Sequence, residues 1–390
     1  MSPGRGAPLK ANRSFVSLFL VTFCGLLAVG AVLPVLPRYV HGSLGYGDVA
    51  VGIVIGAYAI TGLLLRPFAG RLADRRGRKP AVMIGIVVLA CGGLLYLPGL
   101  GIAGVILARL ATGAGEGALY TAGSAWIVDM APVERRGRVL GLYGLAVWGG
   151  LSIGPLAGEL LLDAGGYTAV WIFAAVVPMI GALVASRVPD PFVPHHHVEP
   201  HPLIAREAIG PGIAVALAAV GYAAVASFVI LHLEDRGIGH GVLVFGAFAA
   251  MIVVTRLIAG NLPDQLGAAP VAIVAALAEA AGLLTIALAE SLPVALIGGC
   301  AMGAAFSLVN PSLMLIALGR VTPAARGAAM GTYTAFFDAG VGLGAPLAGA
   351  VAALSDYEGA FVFAAVVAIA SALLSLTRLR GHHAPVTADP

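Results

Sequence analysis

The sequence has 390 residues, 59% hydrophobic and 11% charged, with a mean hydropathy of +0.98 and a formal net charge of +3. Soluble domains carry about 25% charged residues, and a water-soluble fold of this composition would expose apolar patches that drive association, so the chain belongs in lipid. Its basic residues sit in short loops without interleaved aromatics, which argues against a nucleic-acid partner.

Roughly 20 apolar residues cross the ~30 Å hydrocarbon core as a helix. Twelve segments meet that length: 14–38, 48–69, 80–98, 101–126, 137–161, 167–186, 209–232, 241–260, 270–289, 292–317, 327–352 and 359–378. The first follows Arg5, Lys10 and Arg13, but it is too long for a signal core and lacks a convincing cleavage site, so it reads as a span. Cys24, Cys91 and Cys300 fall inside apolar runs and read as packing residues rather than a disulfide framework or redox centre.

Basic residues set the orientation of such a chain. Seventeen lie on the side of the two termini, among them the cluster at 71–79, Arg135, Arg136 and Arg138, whereas the opposite loops carry Arg38 and Arg236. Both termini are therefore expected in the cytoplasm.

The chain also repeats itself. "GRLADRRGRKP" at 70–80 returns as "GNLPDQLGAAP" at 260–270, with Gly70, Leu72, Asp74, Gly77 and Pro80 kept and all five basic residues erased. At the same offset of 190, Arg66 maps on Arg256, Gly113 on Gly303 and Tyr143 on Tyr333, and "FAAVV" recurs at 173–177 and 363–367. Six spans per copy give both halves one topology, related by an axis along the membrane normal, with a binding site between them near mid-membrane. The expected organisation is a bundle at 1–186, a cytoplasmic linker at 187–208, a second bundle at 209–380 and a tail at 381–390.

With these motifs in register, the chain resembles the major facilitator superfamily, and within it the branch that exports drugs and metabolites. The 70–80 stretch resembles the family's loop between the second and third helices, and "RLATGAGEGA" from Arg109 resembles its fourth-helix motif. Gly141, Gly150, Gly154, Pro155 and Gly158 match the antiporter motif of the fifth helix, except that Glu159 stands where a second glycine is usual. The resemblance implies an all-α membrane fold of two six-helix bundles. It also implies a cytoplasmic gate made by Gly70, Arg71, Asp74, Arg75, Gly77, Arg78 and Asp129. There Asp74 would sit at the start of the eleventh helix, favoured by the helix dipole, Arg78 would reach Asp129, and these contacts would lock the two halves on the cytoplasmic side when the cavity faces outward. A cluster that serves only as a topology signal is the simpler alternative. The fifth-helix glycines imply a surface that seals the halves and accompanies export; a plain close-packing face is again the alternative.

Charges inside spans are costly and usually face a cavity or a partner. Arg109 and Glu116 stand seven residues apart, two turns along one helix face. Glu116 beneath Arg109 is expected to exchange a proton or contact substrate, or else to form a static ion pair. Asp338, about 18 Å along its helix from Arg326, is a second proton carrier or a structural hydrogen-bonding group. Glu279 reads as structural or interfacial and Glu159 as solvated. Tyr120 and Asn310 are expected to line the cavity, as are Tyr222, Ser227 and Ser312, with ordinary interhelical hydrogen bonds the alternative. His195, His196, His197 and His201 lie in a Pro-rich linker without fixed geometry, so no metal site is expected.

No nucleophile with its base and no P-loop occurs, so neither an enzyme nor an ATP-driven pump is expected, and no cofactor is implied. The expected function is proton-coupled efflux of a small amphipathic drug or metabolite, as in multidrug resistance, by a monomer in a bacterial-type inner membrane. The expected partners are that small molecule, protons and lipid. An uptake symporter and a non-transporting sensor are the alternatives.

Overall fold

The computed structural model describes residues 7–131, 136–189, 204–319, 321 and 325–379. Its helices are α1 (Ala7–Val32), α2 (Val35–Arg38), α3 (Asp48–Arg76), α4 (Arg78–Leu94), α5 (Gly101–Met130), α6 (Arg136–Ser186), α7 (Ile209–Asp235), α8 (Gly241–Ala259), α9 (Leu262–Leu266), α10 (Ala268–Ala287), α11 (Leu292–Gly319), α12 (Arg326–Leu354) and α13 (Tyr357–Leu374). No strand occurs among the described residues. That is the expected solution in lipid, where each backbone amide must find its partner within the segment.

Among the described residues, ten helices are long and apolar enough to cross a membrane. One of them, α6, would be about 76 Å long if straight, far more than one crossing. Its backbone breaks at Gly165 (φ −152°, ψ 15°) and Gly166 (φ 67°, ψ −167°), which turns it back on itself as two spans. With α4, at 17 residues just under the usual span length, the twelve spans read from the sequence are all present. The chain is a multi-pass membrane protein whose outward surface is apolar, with Leu64, Phe68, Leu160, Ile258 and Leu354 exposed.

Two details differ from the sequence reading. The first span ends as α1 at Val32 and resumes as the short α2 after Pro34. The second copy of the repeated turn is also interrupted: α3 runs unbroken to Arg76, whereas α8 stops at Ala259 and α9 restarts at Leu262. Pro263, which replaces Ala73, lacks the N–H that a continuous helix would need there and is accepted in the first turn of a new one.

The repeat is visible in the packing. A Cβ on Gly113 would collide with the Tyr58 carbonyl where α5 crosses α3, and one on Gly303 would collide with the Phe248 carbonyl where α11 crosses α8. Both residues of the first pair lie 190 positions before those of the second. The copies meet along α3 and α12 and along α6 and α8.

The α3–α12 contact is uneven along its length. We call the side bearing Gly77 and Gly267 the turn face and the opposite side the far face. Toward the far face the two backbones touch, so that a Cβ on Gly52, Gly56 or Gly349 would overlap a carbonyl of Ala345, Gly342 or Asp48. Toward the turn face, a Cβ on Gly327 or Gly331 would meet nothing within 4 Å. Far-face closure is reinforced by Arg38, which bonds Glu159 at 2.9 Å and Glu234 at 2.6 Å, and by Tyr357 donating to Asp48 at 2.9 Å. Glu159, expected to be solvated, is therefore half of an ion pair.

Candidate functional site

Three helices place ionised groups together between the halves. Arg66 of α3 donates from Nε to Asp338 of α12 at 2.7 Å and from Nη2 to Asp338 at 3.3 Å and Glu116 of α5 at 3.3 Å. Both carboxylates are buried, at 6% and 8% side-chain exposure, and the arginine is nearly so at 17%. Backbone closeness makes room for this: a Cβ on Gly117 would meet the Cα of Gly62 at 3.3 Å and the Cγ of Arg66 at 3.5 Å. The Tyr120 ring lies 5.6 Å from the guanidinium carbon, within range of a cation–π contact. One cation thus serves two acids, and one of those acids belongs to the other half of the chain.

The expected partnership of Glu116 with Arg109 is replaced by this one. Arg109 is 2% exposed and donates to the backbone oxygens of Val54 at 3.2 Å and Ile55 at 3.3 Å, with its guanidinium 4.6 Å from the centre of the Tyr58 ring. Helical side chains lean toward the N-terminus, so Arg109 leans away from Glu116, about 10 Å farther along the axis. Same-face spacing was read correctly, but the direction of the side chain decides the contact. In the sequence Arg66 stands out only as a repeat position; its charge inside a span is the signal that would have found it.

At the Gly77 turn, Arg78 donates to Asp74 at 2.5 Å and to Asp129 at 2.9 Å. Lys79 donates to the carbonyls of Ser186 at 2.7 Å and Val188 at 2.9 Å, tying the turn to the end of α6. Arg71 lies 6.0 Å from the Phe68 ring, Arg75 is exposed, and the nearest contact for a Cβ on Gly70 is Thr121 at 3.9 Å. These bonds join α3, α4, α5 and α6. They do not lock the halves together here, and the N-terminus of α12 has no side-chain cap from Asp74. Arg78 opens α4, between the ends of α3 and α5, so the acids within its reach belong to its own half.

The α6 motif also faces its own half. Cβ atoms on Gly150, Gly154 and Gly158 would run into the α1 backbone around Leu27, Gly30 and Ala31, and Gly30 in turn abuts Leu151. A Cβ on Gly141 would meet nothing within 4 Å, and Pro155 is buried within the helix. The motif is a close-packing face against α1. Toward the other half, α6 presents Gly144, Trp148 and Leu156 instead: Trp148 packs edge-on against Tyr222 and Phe306, and Leu156 lies beside Gly246.

Of the remaining cavity candidates, Tyr120 stacks on Tyr143 at 6.1 Å and Tyr222 stacks on Phe306 at 5.7 Å. The Asn310 carbonyl accepts from Tyr333 at 2.7 Å and Ser312 bonds the Leu308 carbonyl at 2.7 Å, both structural hydrogen bonds. The Ser227 hydroxyl is buried and finds no hydrogen-bond partner among the described residues. Glu279 is fully buried on α10 against Gly221 of α7, and its oxygens find no hydrogen-bond partner among the described residues. Cys24, Cys91 and Cys300 are free, with Cys91 exposed on the apolar surface rather than packed inside. No metal-binding cluster occurs among the described residues, and the four linker histidines lie outside them.

Nearly the whole chain matches a family. The model for the Major Facilitator Superfamily matches residues 18–254 and again 211–389. The chain belongs to the major facilitator superfamily. An uncharacterized MFS-type transporter of Pseudomonas aeruginosa (strain UCBPP-PA14) is 33% identical over 388 residues, 95% of this chain and 94% of the relative. An uncharacterized MFS-type transporter of Burkholderia mallei (strain SAVP1) is 32% identical over 382 residues, 96% and 94% of the two chains. Among solved structures, a POT family transporter in complex with a thioalcohol-conjugated peptide superposes with a TM-score of 0.80 at 13% identity, over 93% of this chain and 95% of that one. At that identity the likeness is one of fold. The protein is a membrane transporter of this superfamily and not an enzyme.

Proposed function

We propose that this transporter exports a small amphipathic compound in exchange for protons, by rocking two six-helix halves, residues 1–186 and 209–380, about the Arg66 cluster. The linker 187–208 joins them and 381–390 forms a tail. The observation that carries the reading is that Arg66 on α3 holds Glu116 in its own half and Asp338 in the other, at mid-chain depth in three helices. A proton on Asp338 cancels the charge that Arg66 grips, releases α12 from α3 and lets the halves part. A proton on Glu116 instead leaves Arg66 committed to Asp338 and favours the closed contact. Occupancy of two acids sharing one cation is thereby coupled to which face is open.

Export rather than uptake is supported by the likeness of Gly141, Gly150, Gly154, Pro155 and Gly158 to the antiporter motif, with the glycines setting the α1–α6 approach. The excess of basic residues on the side of the termini assigns the turn face to the cytoplasm of a bacterial-type inner membrane. The closed far face and splayed turn face then describe a cytoplasm-facing transporter. Arg78, Asp74 and Asp129 act as a latch that keeps the turn ordered when the turn face closes. A monomer suffices, since both halves of the site lie in one chain.

Proteoliposomes containing a pH dye, under an imposed proton gradient and a screen of amphipathic compounds, test this. Wild type gives compound-dependent proton movement opposite to the compound, which Asp338→Asn abolishes and Glu116→Gln changes in pH dependence. Movement in the same direction would make the protein an uptake symporter, and coupling retained in both variants would sink the arginine-cluster mechanism.

A further inference from the structure

The second copy of Arg66 has lost its acids. Arg256 stands ten positions before the end of α9 as Arg66 stands ten before the end of α3, so the two occupy the same depth in their halves. The repeat positions of Glu116 and Asp338 are Phe306 and Trp148, read at the same offset of 190. Among the described residues Arg256 forms no ion pair. Its single hydrogen bond, from Nη2 to the Ser307 carbonyl, is long at 3.4 Å.

The guanidinium nevertheless points where its counterpart points. Its Nη1 reaches α6 in the other half, 3.7 Å from where a Cβ on Gly144 would stand, one turn before Trp148. Among the described residues, the ionisable side chains near it are the neutral phenols of Tyr120 and Tyr333. It is only partly buried, as are Gly144, Trp148, Tyr222 and Tyr120 around it. Beside it Trp148, Tyr222 and Phe306 pack into one aromatic wall drawn from both halves, with ring centres 5.7–6.3 Å apart.

A cation held inside a span without a counterion is costly, and an arginine fork matches the two oxygens of a carboxylate or phosphate. We propose that Arg256 is the substrate-binding arginine of this transporter, and that its ligand is an amphipathic organic anion whose acid group takes the place vacated by the missing carboxylates while its apolar or aromatic body lies on Trp148 and Tyr222, backed by the buried Phe306. This narrows the substrate class of the export reading and rests on the protein being a transporter of small molecules, though not on direction or proton coupling. A glycine at 144 leaves α6 open to the incoming acid group, and the Ser307 carbonyl orients the fork without neutralising it.

Three probes that share one naphthyl body separate the charge from the apolar part: 2-naphthoate, its near-isostere 2-naphthamide, and the cation (2-naphthyl)trimethylammonium. Their equilibrium binding to the purified full-length protein in detergent is measured for wild type, Arg256→Gln and Arg256→Lys. Wild type binds the naphthoate at least tenfold more tightly than the amide, and the trimethylammonium most weakly. Arg256→Gln removes the preference for naphthoate over naphthamide while amide binding stays within twofold, which shows the aromatic wall intact, and Arg256→Lys restores part of the preference. Equal or tighter binding of the cation by wild type, no naphthoate binding, or an anion preference that survives Arg256→Gln each overturns the proposal. None of these results bears on whether protons drive transport, because binding is read without a gradient.

Discussion

At Gly77 the backbone sits at φ 104°, ψ 158°, and half a chain later at Gly267 it sits at φ 91°, ψ 138°. Both turns open a span with the same reversal, yet one is bonded through Arg78 and Lys79 and the other has alanines at those positions. The same division separates Arg66 from Arg256: shared backbone, opposite surroundings. Duplication preserves what close packing and strained dihedrals demand, because a side chain at such positions would collide or be strained. Charges are tolerated or lost according to what each half must do. Of these two equivalent arginines, the first half's is held by two acids, and the second half's meets no acid among the described residues.

The largest effect expected from that contrast is on stability. Arg66→Gln strands two buried carboxylates and costs about 3–5 kcal/mol, whereas Arg256→Gln forfeits one long hydrogen bond worth about 1 kcal/mol. Unfolding by SDS titration in mixed micelles measures both, and equal losses would erase the distinction between the copies. Next come Gly77→Ala and Gly267→Ala. Each forces a side chain into a backbone region reserved for glycine at ~1–3 kcal/mol, and the same titration returns similar costs for both if the turns are true equivalents.

The charged latch of the first turn is a smaller matter for stability, because its acids are about half exposed. Arg78→Gln costs ~0–1 kcal/mol but slows transport in proteoliposomes on the order of tenfold, equivalent to about 1.4 kcal/mol in the barrier. An unchanged rate would reduce the latch to a topology signal. Smallest of all, Asp264→Asn in the second turn changes stability by no more than about 0.5 kcal/mol and leaves the transport rate alone, since the arginine that Asp74 meets is Ala268 in this copy.

The spans, the repeat and the turns were legible because each is a local or periodic property: twenty apolar residues, an offset of 190, a glycine where the chain reverses. The Arg78–Asp129 contact was legible through resemblance. The pairing of Arg66 with Asp338 was not, because its partners are 272 residues apart and no periodicity reaches across the two halves. Arg109 and Glu116 illustrate a different limit. Their spacing fixes a shared face but not which way each side chain leans, and the lean sends Arg109 to the α3 carbonyls. Pro263 left a readable mark, the restart of α9, that the strong likeness of the two turns concealed. The glycines of α6 fit the motif in spacing, yet spacing alone did not say whether α1 or α8 lay opposite.

One arginine shared by two carboxylates has an electrical side as well. With both acids ionised, Arg66, Glu116 and Asp338 carry a formal charge of −1, and a proton on either acid brings the trio to zero. A membrane voltage does work on the first state, up to about 2.3 kcal/mol per 100 mV if the charge crosses the full field, and none on the second. In the proposed exchange the trio would feel the voltage only on the leg in which these helices move without a proton.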